Sequence, residues 1–403
     1  MYAKDSPGTF TKLAWSLPWL LRYPFWRASE LVRRMTDGSA PQRLIFVIAN
    51  HFEPGWSADG TILDLSTQQR RLEDWCAQAR AIGEAVRDHD GTSFRHTNFY
   101  PAEQYHRPLL ERMAELQAEG LGEVEIHLHH GVDQPDTAEN TKRTLIEFRD
   151  ALAEEHKCLS RMEADESPRY AFVHGNWALA NSARGRCCGV DSEMQILAET
   201  GCYADLTLPS APDISQVARI NAIYQCGHPL TEQKPHRSGP SARVGDKAKL
   251  PLIFTGPLAF DWERRFHGLP VPRIDNGALT AIYPPTSSRL NRWRGTHIGI
   301  TGRPDWVFVK LYCHGFFDED QPAMIGDVMQ RFLLEALELS ERTGQFKLHF
   351  ASAREMFNIA MAAIDGREGD PGLYRDYRLR QIMQAAKPEQ AEKGTDAVVH
   401  QLS

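Results

Sequence analysis

Residues 44–49 form an unbroken apolar run, Leu-Ile-Phe-Val-Ile-Ala, between Pro41 and the polar residues that begin at Asn50. A strand that is buried on both faces, as in a parallel sheet, has this kind of sequence. Helical and strand patterns then alternate along the chain six or seven times. Parallel strands need crossover connections, which helices usually supply. The sequence therefore predicts an α/β fold built on parallel strands.

The predicted elements follow one another from residue 43 onwards. Strands are predicted at residues 43–50, 92–100, 123–128, 170–174, 204–208, 306–312 and 346–350. Helices are predicted at residues 66–87, 105–119, 137–156, 192–200, 324–343 and 353–364. A barrel and an open doubly wound sheet both fit this order, and in either fold the active site lies at the carboxyl ends of the strands.

The strand and helix pattern weakens between residues 227 and 302, where Gly, Pro, Arg and His are frequent. We interpret residues 227–302 as a long insertion, a small β-rich lid, between two parts of a catalytic barrel at residues 43–226 and 303–365. Residues 1–42 form an N-terminal aromatic and basic segment. Residues 366–403 form a C-terminal tail whose end is expected to fray.

Composition excludes several classes of protein. Of the 403 residues, 42% are hydrophobic and 25% are charged, as in an ordinary globular protein. The net charge of -7 argues against a nucleic-acid partner, because nucleic-acid binders usually carry a basic surplus. No stretch approaches the roughly 20 consecutive apolar residues of a membrane-spanning helix.

The seven cysteines are scattered and odd in number. The adjacent pair Cys187 and Cys188 has neither the spacing of a CxxC redox pair nor that of a zinc knuckle. Since no secretory signal begins the sequence, we expect the cytoplasm, a reducing compartment.

Residues 10–27 combine three tryptophans with basic residues, which is the composition of an interfacial segment. Pro18 and Pro24 would interrupt a long amphipathic helix, so we favour packing of the aromatic residues against the domain. The segment is also compatible with a peripheral membrane contact, which would suit an enzyme that acts on lipid-linked glycans.

Four predicted strands end in polar residues that include histidine. In chain order these side chains are His51, Glu53, His127, His129, His130, Asp133, His174, Asn176, Trp177 and His314. Strand alternation places His127 and His129 on one face, and likewise His51 and Glu53. Imidazole and carboxylate together suit zinc, and also iron, nickel or cobalt. The sequence therefore predicts a divalent metal site, whose ligands would be oriented by groups such as Asp133, Asp136 or Asn176.

An isolated histidine at a strand end is more often an ordinary hydrogen-bonded residue, and we interpret His96 and His349 in this way. For the histidines at residues 127–130 we favour a functional site instead, because packed imidazoles repel one another when charged and need partners when neutral. Asn176 and Trp177 either line a sugar-binding pocket or pack in the core. The sequence contains no Gly-rich phosphate loop and no GxSxG elbow, so a serine hydrolase lacks support.

The order of the strand-end residues resembles that of the polysaccharide deacetylase superfamily, the deacetylases with a NodB-homology domain. This resemblance covers residues 43–350 apart from 227–302 and implies a distorted (β/α)7 barrel with a divalent metal ion, for which zinc is our expectation. In that family the first strand ends in two acidic residues, a base and a metal ligand. A later strand carries a His-x-x-x-His pair, and a final histidine acts as the acid.

Carried over to this chain, the resemblance implies that Glu53, His129 and Asp133 hold the ion with His127 nearby. Asp133 stands where the family has its second histidine.

His51 stands where the family usually has aspartate. We expect His51 to act as the general base, since a neutral imidazole suits that role close to neutral pH. His314 is the implied acid. The side chains expected to contact the substrate are His130, His174, Asn176 and Trp177.

The implied reaction is hydrolysis of a C–N bond, with removal of an N-acetyl group from an amino sugar in a polysaccharide or glycan precursor. One alternative is a glycoside or phosphoester hydrolase on the same barrel; a glycosidase needs two opposed carboxylates, of which Glu53 could be one. Another alternative is a glycan-binding barrel without catalysis.

Overall fold

The computed structural model describes residues 7–36, 41–57, 60–162 and 165–383. The part of the C-terminal tail that is expected to fray, residues 384–403, lies outside the described residues.

Helices and strands alternate along most of the described chain. The strands are β1 Gln42–His51, β2 His96–Pro101, β3 Gly122–Leu128, β4 Ser160–Met162, β5 Asp165–His174, β6 Cys202–Asp205, β7 Ile223–Tyr224, β8 Leu252–Phe254, β9 Ala259–Asp261, β10 Arg265–Phe266, β11 Leu269–Pro270, β12 Arg273–Asp275, β13 Trp306–His314, β14 Phe346–Phe350 and β15 Leu379–Gln381. The helices are α1 Thr9–Leu20, α2 Tyr23–Thr36, α3 Leu65–Ala85, α4 Arg107–Ala118, α5 Ala138–Asp150, α6 Glu193–Glu199, α7 Ser287–Arg294, α8 Gln321–Met324, α9 Asp327–Thr343 and α10 Ala353–Ile364.

The main sheet is mostly parallel, which confirms the predicted α/β class. Its strands follow the order β13-β1-β2-β3-β5-β6-β8-β7, and only the last pair on this path is antiparallel. β14 pairs in parallel with the first half of β1. In the described part of the chain no ladder joins β8 to β13, so the sheet is a curled half-barrel and the predicted (β/α)7 closure is not confirmed.

The two faces of the sheet are buried against different partners. In β1, Leu44 and its alternate neighbours pack with the outer helices, whereas Ile45, Val47 and Ala49 pack in a second, inner cluster. All 12 residues of α10 are buried, and α10 contacts β1, β5 and β6. Two strands separate β1 from β5, so α10 lies on the concave face. Burial of such aliphatic side chains contributes roughly 1.5–3 kcal/mol each, which explains the unbroken apolar run.

Residues 227–302 differ from the predicted insertion in one respect. They contain β8, which pairs with β6 and belongs to the main sheet. A strand of three residues is too short to produce a recognisable period in the sequence. The remainder contains two small antiparallel sheets, β9 with β12 and β10 with β11, together with α7.

The N-terminal segment forms two helices, α1 and α2. Trp19 is fully buried against Phe260, with ring centroids 5.6 Å apart, so part of the segment packs on the domain. Several of its large apolar side chains are exposed, among them Phe10, Leu13, Leu17, Leu21 and Phe25. Among residues 7–36, 41–57, 60–162 and 165–383, no helix has the length and apolar character needed to cross a membrane.

Candidate metal centres

Three strands deliver imidazoles to one point on the concave face. β1 and β13 are in register so that His51 lies opposite His314, and their ring centroids are 4.5 Å apart. His127 of β3 has its ring centroid 4.8 Å from that of His51. Because Val47 and Ala49 point into the inner cluster, the two-residue period of the strand places His51 on the same face.

His51, Glu53, His127, His129 and His314 together form what we term the open cluster. Glu53 Oε1 lies 3.2 Å from His127 Nε2 and 3.0 Å from His129 Nε2. Glu53 Oε2 lies 3.3 Å from His314 Nδ1. The side chains of Glu53 and His314 remain 12% and 20% exposed, so the cluster is open towards solvent.

The outer nitrogens of two histidines are already occupied. His127 Nδ1 lies 2.7 Å from the carbonyl oxygen of Val173, and His129 Nδ1 lies 2.6 Å from Glu103 Oε1. Both partners are acceptors, so each Nδ1 carries a proton; Nε2 then donates to Glu53 when the ring is charged and turns a lone pair towards Glu53 when the ring is neutral. Such lone pairs and a carboxylate oxygen repel unless a proton or a cation lies between them. Metal-ligating histidines are oriented in this way, with the second nitrogen donating to a carbonyl or carboxylate.

The pKa values fit the same arrangement. Burial lowers the pKa of His51 well below its ordinary value, and it also lowers the pKa of His127. Burial works against ionisation of Glu53, but hydrogen bonds from three imidazoles outweigh it and hold that pKa well below its usual range. Burial likewise opposes the charged form of His129, but hydrogen bonds to two carboxylates raise its pKa to about 10. A bound cation would therefore compete with the proton on His129.

A second group, which we term the closed cluster, consists of His130, His174, Cys188 and Glu193. All four residues are buried, and one ligand atom from each lies within 4.8 Å of the others. His130 Nε2 is 3.0 Å from His174 Nε2 and 3.0 Å from Glu193 Oε1. Both clusters could bind a metal ion.

Five of the ten predicted site residues meet in the open cluster: His51, Glu53, His127, His129 and His314. Asp133 is exposed and belongs to neither cluster. The chain turns at Gly131, whose φ is 62°, and this turn carries Asp133 away from the strand ends. Asp136 is the acid that orients a cluster histidine, with Oδ2 2.9 Å from His130 Nδ1.

The residues expected to contact substrate divide between the two clusters. His130 and His174 lie in the closed cluster, where their side chains are 6% and 0% exposed, and this placement does not favour substrate contact. Trp177 borders the open cluster, with its ring perpendicular to that of His314 and the centroids 6.4 Å apart. Asn176 precedes it, half-buried and with a positive φ of 54°.

Sequence reasoning missed Glu103, Cys188 and Glu193. Glu103 follows β2, so the strand-end rule could have found it, but that strand ends without a histidine. Cys188 and Glu193 lie in and after an irregular loop, and no short-range spacing connects them to His130.

A third acidic group surrounds His349, whose Nδ1 is 2.8 Å from Asp90 Oδ2. Arg43 lies 2.9 Å from Asp370, and Arg375 lies 3.1 Å from Asp90. The positive charges of these arginines already balance the negative charges of the carboxylates. The residues around His349 therefore form an ion-pair network. His349 is hydrogen-bonded as the sequence interpretation expected.

Comparison of the chain with protein-family models, with curated proteins and with solved structures found no match. Function is therefore inferred from the two clusters and from the resemblance in the strand-end residues.

Proposed function

We propose that the chain is a metal-dependent hydrolase that removes an N-acetyl group from an amino sugar of a polysaccharide or glycan precursor. The open cluster would be its active site, on a sheet that we take to be an opened and distorted (β/α)7 barrel. The observation that carries this proposal is the convergence of His127 Nε2 and His129 Nε2 on Glu53 Oε1, at 3.2 and 3.0 Å. The deacetylase chemistry itself is supported by the resemblance in residue order.

The donor set fits a divalent ion. Glu53, His127 and His129 would hold it, since two imidazoles and a glutamate are a known set for catalytic zinc. No thiolate belongs to the open cluster, and such nitrogen and oxygen donors also suit iron or cobalt. Zinc is our first expectation.

When bound, such an ion supplies Lewis-acid polarisation of a carbonyl oxygen and makes a water molecule more acidic. His51 accepts the proton of the water that attacks the amide carbonyl, because burial lowers its pKa and keeps the ring neutral.

His314 donates a proton to the nitrogen of the departing amine. Its Nδ1 is held 3.3 Å from Glu53 Oε2, while its buried Nε2 has no hydrogen-bond partner among the described residues. Trp177 and Phe317 lie beside this ring, with centroids 6.4 and 5.5 Å away, and offer aromatic faces to a sugar.

The test compares His129→Ala with Asp133→Ala, an exposed control. We expect His129→Ala to lose the metal of the open cluster and to lower acetate release from N-acetylated amino-sugar oligomers. The fall in acetate release should exceed the roughly 10- to 100-fold effect of removing a residue that only orients a ligand. Asp133→Ala should change neither quantity. Unchanged metal content in His129→Ala would exclude the ligand assignment.

Further assays distinguish the alternatives. A glycosidase is the weaker alternative, because it needs a second free carboxylate opposite Glu53. Among the described residues of the open cluster Glu53 is the one carboxylate, and the nearby Glu103 has both oxygens hydrogen-bonded to His129. Turnover of an aryl phosphate without acetate release would favour a phosphoesterase. Sugar binding without any turnover would favour a non-catalytic barrel.

A further inference from the structure

The closed cluster joins three separate parts of the chain. His130 follows β3, His174 ends β5, and Cys188 and Glu193 come from the loop before α6 and from its first turn. We infer that the closed cluster is a second, structural metal site, which holds zinc through two imidazole Nε2 atoms, the Cys188 sulfur and a Glu193 oxygen. This inference is independent of the proposed hydrolase activity, because it rests on different residues.

The protons of the two imidazoles are fixed by their outer partners. His130 Nδ1 lies 2.9 Å from Asp136 Oδ2, and His174 Nδ1 is bonded to the carbonyl oxygen of Gly175. The hydroxyl of Thr141 donates to Asp136 at 2.8 Å, so it supplies no proton to His130. Each neutral ring therefore protonates Nδ1 and leaves a lone pair on Nε2.

These two lone pairs face each other and a carboxylate. The two Nε2 atoms are 3.0 Å apart, and Glu193 Oε1 lies 3.0 Å from that of His130 and 3.4 Å from that of His174. Three acceptors thus converge in a site that water does not reach. A single shared proton can bridge only two of them, whereas one cation attracts all three.

The sulfur of Cys188 is arranged as a metal ligand. It accepts hydrogen bonds from the backbone N–H groups of Asn181 at 3.3 Å and Val190 at 3.4 Å. Hydrogen bonds to sulfur stabilise the thiolate, which is the form that binds metal. The second oxygen of Glu193 lies 3.7 Å from this sulfur and accepts the N–H of Ala180 at 2.6 Å.

The identity of the ion and its role follow from the ligands. Imidazole and thiolate select zinc rather than magnesium or calcium. Four protein ligands in a fully buried site leave no position for substrate, as in structural zinc sites. The ion would tie the loop after β5 to the end of β3. That loop carries Trp177, so the closed cluster would also fix one wall of the open cluster.

Cobalt(II) substitution of the purified full chain tests the inference. Thiolate ligation to cobalt gives a near-ultraviolet charge-transfer band that nitrogen and oxygen ligands do not give. Since Cys188 is the only cysteine in the two clusters, this band reports on the closed cluster. We expect the band in the wild type and in Cys187→Ser, a matched control whose half-buried thiol lies outside both clusters. We expect Cys188→Ser to lose it.

Metal analysis separates this site from the open cluster. His129→Ala should lose one equivalent of metal and keep the cobalt band. Should Cys188→Ser fail to fold, Cys188→Asp retains a ligand and is expected to keep the metal while losing the band. A cobalt-loaded wild type without the band would overturn the inference. So would a band that persists in Cys188→Ser or Cys188→Asp.

Discussion

Glu103 illustrates how much of a metal site depends on groups that do not touch the ion. Its two oxygens accept hydrogen bonds from His129, one from the backbone N–H at 3.2 Å and the other from Nδ1 at 2.6 Å. These bonds fix the tautomer and the ring orientation, so that Nε2 points at Glu53. Glu103 is thus a positioning residue, and His129 is the ligand that it positions.

At the residue scale, Glu103→Gln should weaken metal binding by about 10- to 100-fold, because the amide replaces one of the two oxygens that accept from His129 with a nitrogen that only donates. Titration of the metal-free protein with zinc in the presence of a competing chelator would measure this change. Asp133→Asn makes the same change from carboxylate to amide at an exposed residue and serves as the control. It should bind zinc as tightly as the wild type. Equal affinities for wild type and Glu103→Gln would contradict the positioning role.

At the element scale, sequence pattern found the elements that are long and apolar. β1, β3, β5, β13 and β14 were predicted because each carries a continuous or alternating apolar run, and the ends of β1, β3 and β13 supply the open cluster. β8 was not assigned to the main sheet, because its three residues show no period. Cys188 and Glu193 of the closed cluster were missed because the loop that brings them to His130 and His174 is irregular, with positive φ angles at residues such as Ala180 and Cys187.

Lys310 of β13 joins elements across the gap in the sheet. Its buried Nζ donates to the carbonyl oxygens of Leu206 and Leu208, at 2.7 and 2.6 Å, just beyond β6. Burial lowers the pKa of Lys310 to about 7, so the amine is neutral above that pH. A neutral amine has two N–H donors, which match the two carbonyls.

This burial makes stability depend on pH. The folded pKa lies below the unfolded value of 10.5, so the unfolded chain binds more protons between these values. The contribution of Lys310 to stability is present above the unfolded pKa and is lost as pH falls towards about 7. The pKa of the neighbouring Asp205, raised by burial to about 7, lies at the lower end of this window.

We therefore expect Lys310→Met to remove the part of the stability that rises with pH above about 7. Above the unfolded pKa of 10.5, where the amine is neutral in both states, the variant should be less stable by roughly 1–3 kcal/mol because buried carbonyls lose their donor, and this deficit should shrink as pH falls towards about 7. Urea denaturation of both proteins at a series of pH values would measure this. A constant difference in unfolding free energy between the two proteins across the window would refute the assignment.

At the scale of the whole molecule, a curled sheet wraps around α10 and gathers both clusters at one edge. The N-terminal helices lie on this body through Trp19 and leave an apolar face exposed. The peripheral membrane contact with which residues 10–27 are compatible would use that face. Phe10 and Phe25, which are 89% and 77% exposed, are its most exposed large side chains among residues 7–32.

The double substitution Phe10→Ser with Phe25→Ser should reduce co-sedimentation with anionic lipid vesicles, since apolar area is what such a segment inserts. The melting temperature should stay the same, because neither side chain is packed. Ile282→Ser, at an apolar residue that is 84% exposed and lies outside the segment, is the matched control. Equal sedimentation of the double variant and the wild type would exclude the contact.

The metal content of the purified full chain tests the central claim most directly. We expect two equivalents of divalent metal in the wild type, one of which is absent from His129→Ala and the other from Cys188→Ser. A wild-type protein that is expressed and purified with zinc present and still contains no bound metal would contradict both sites.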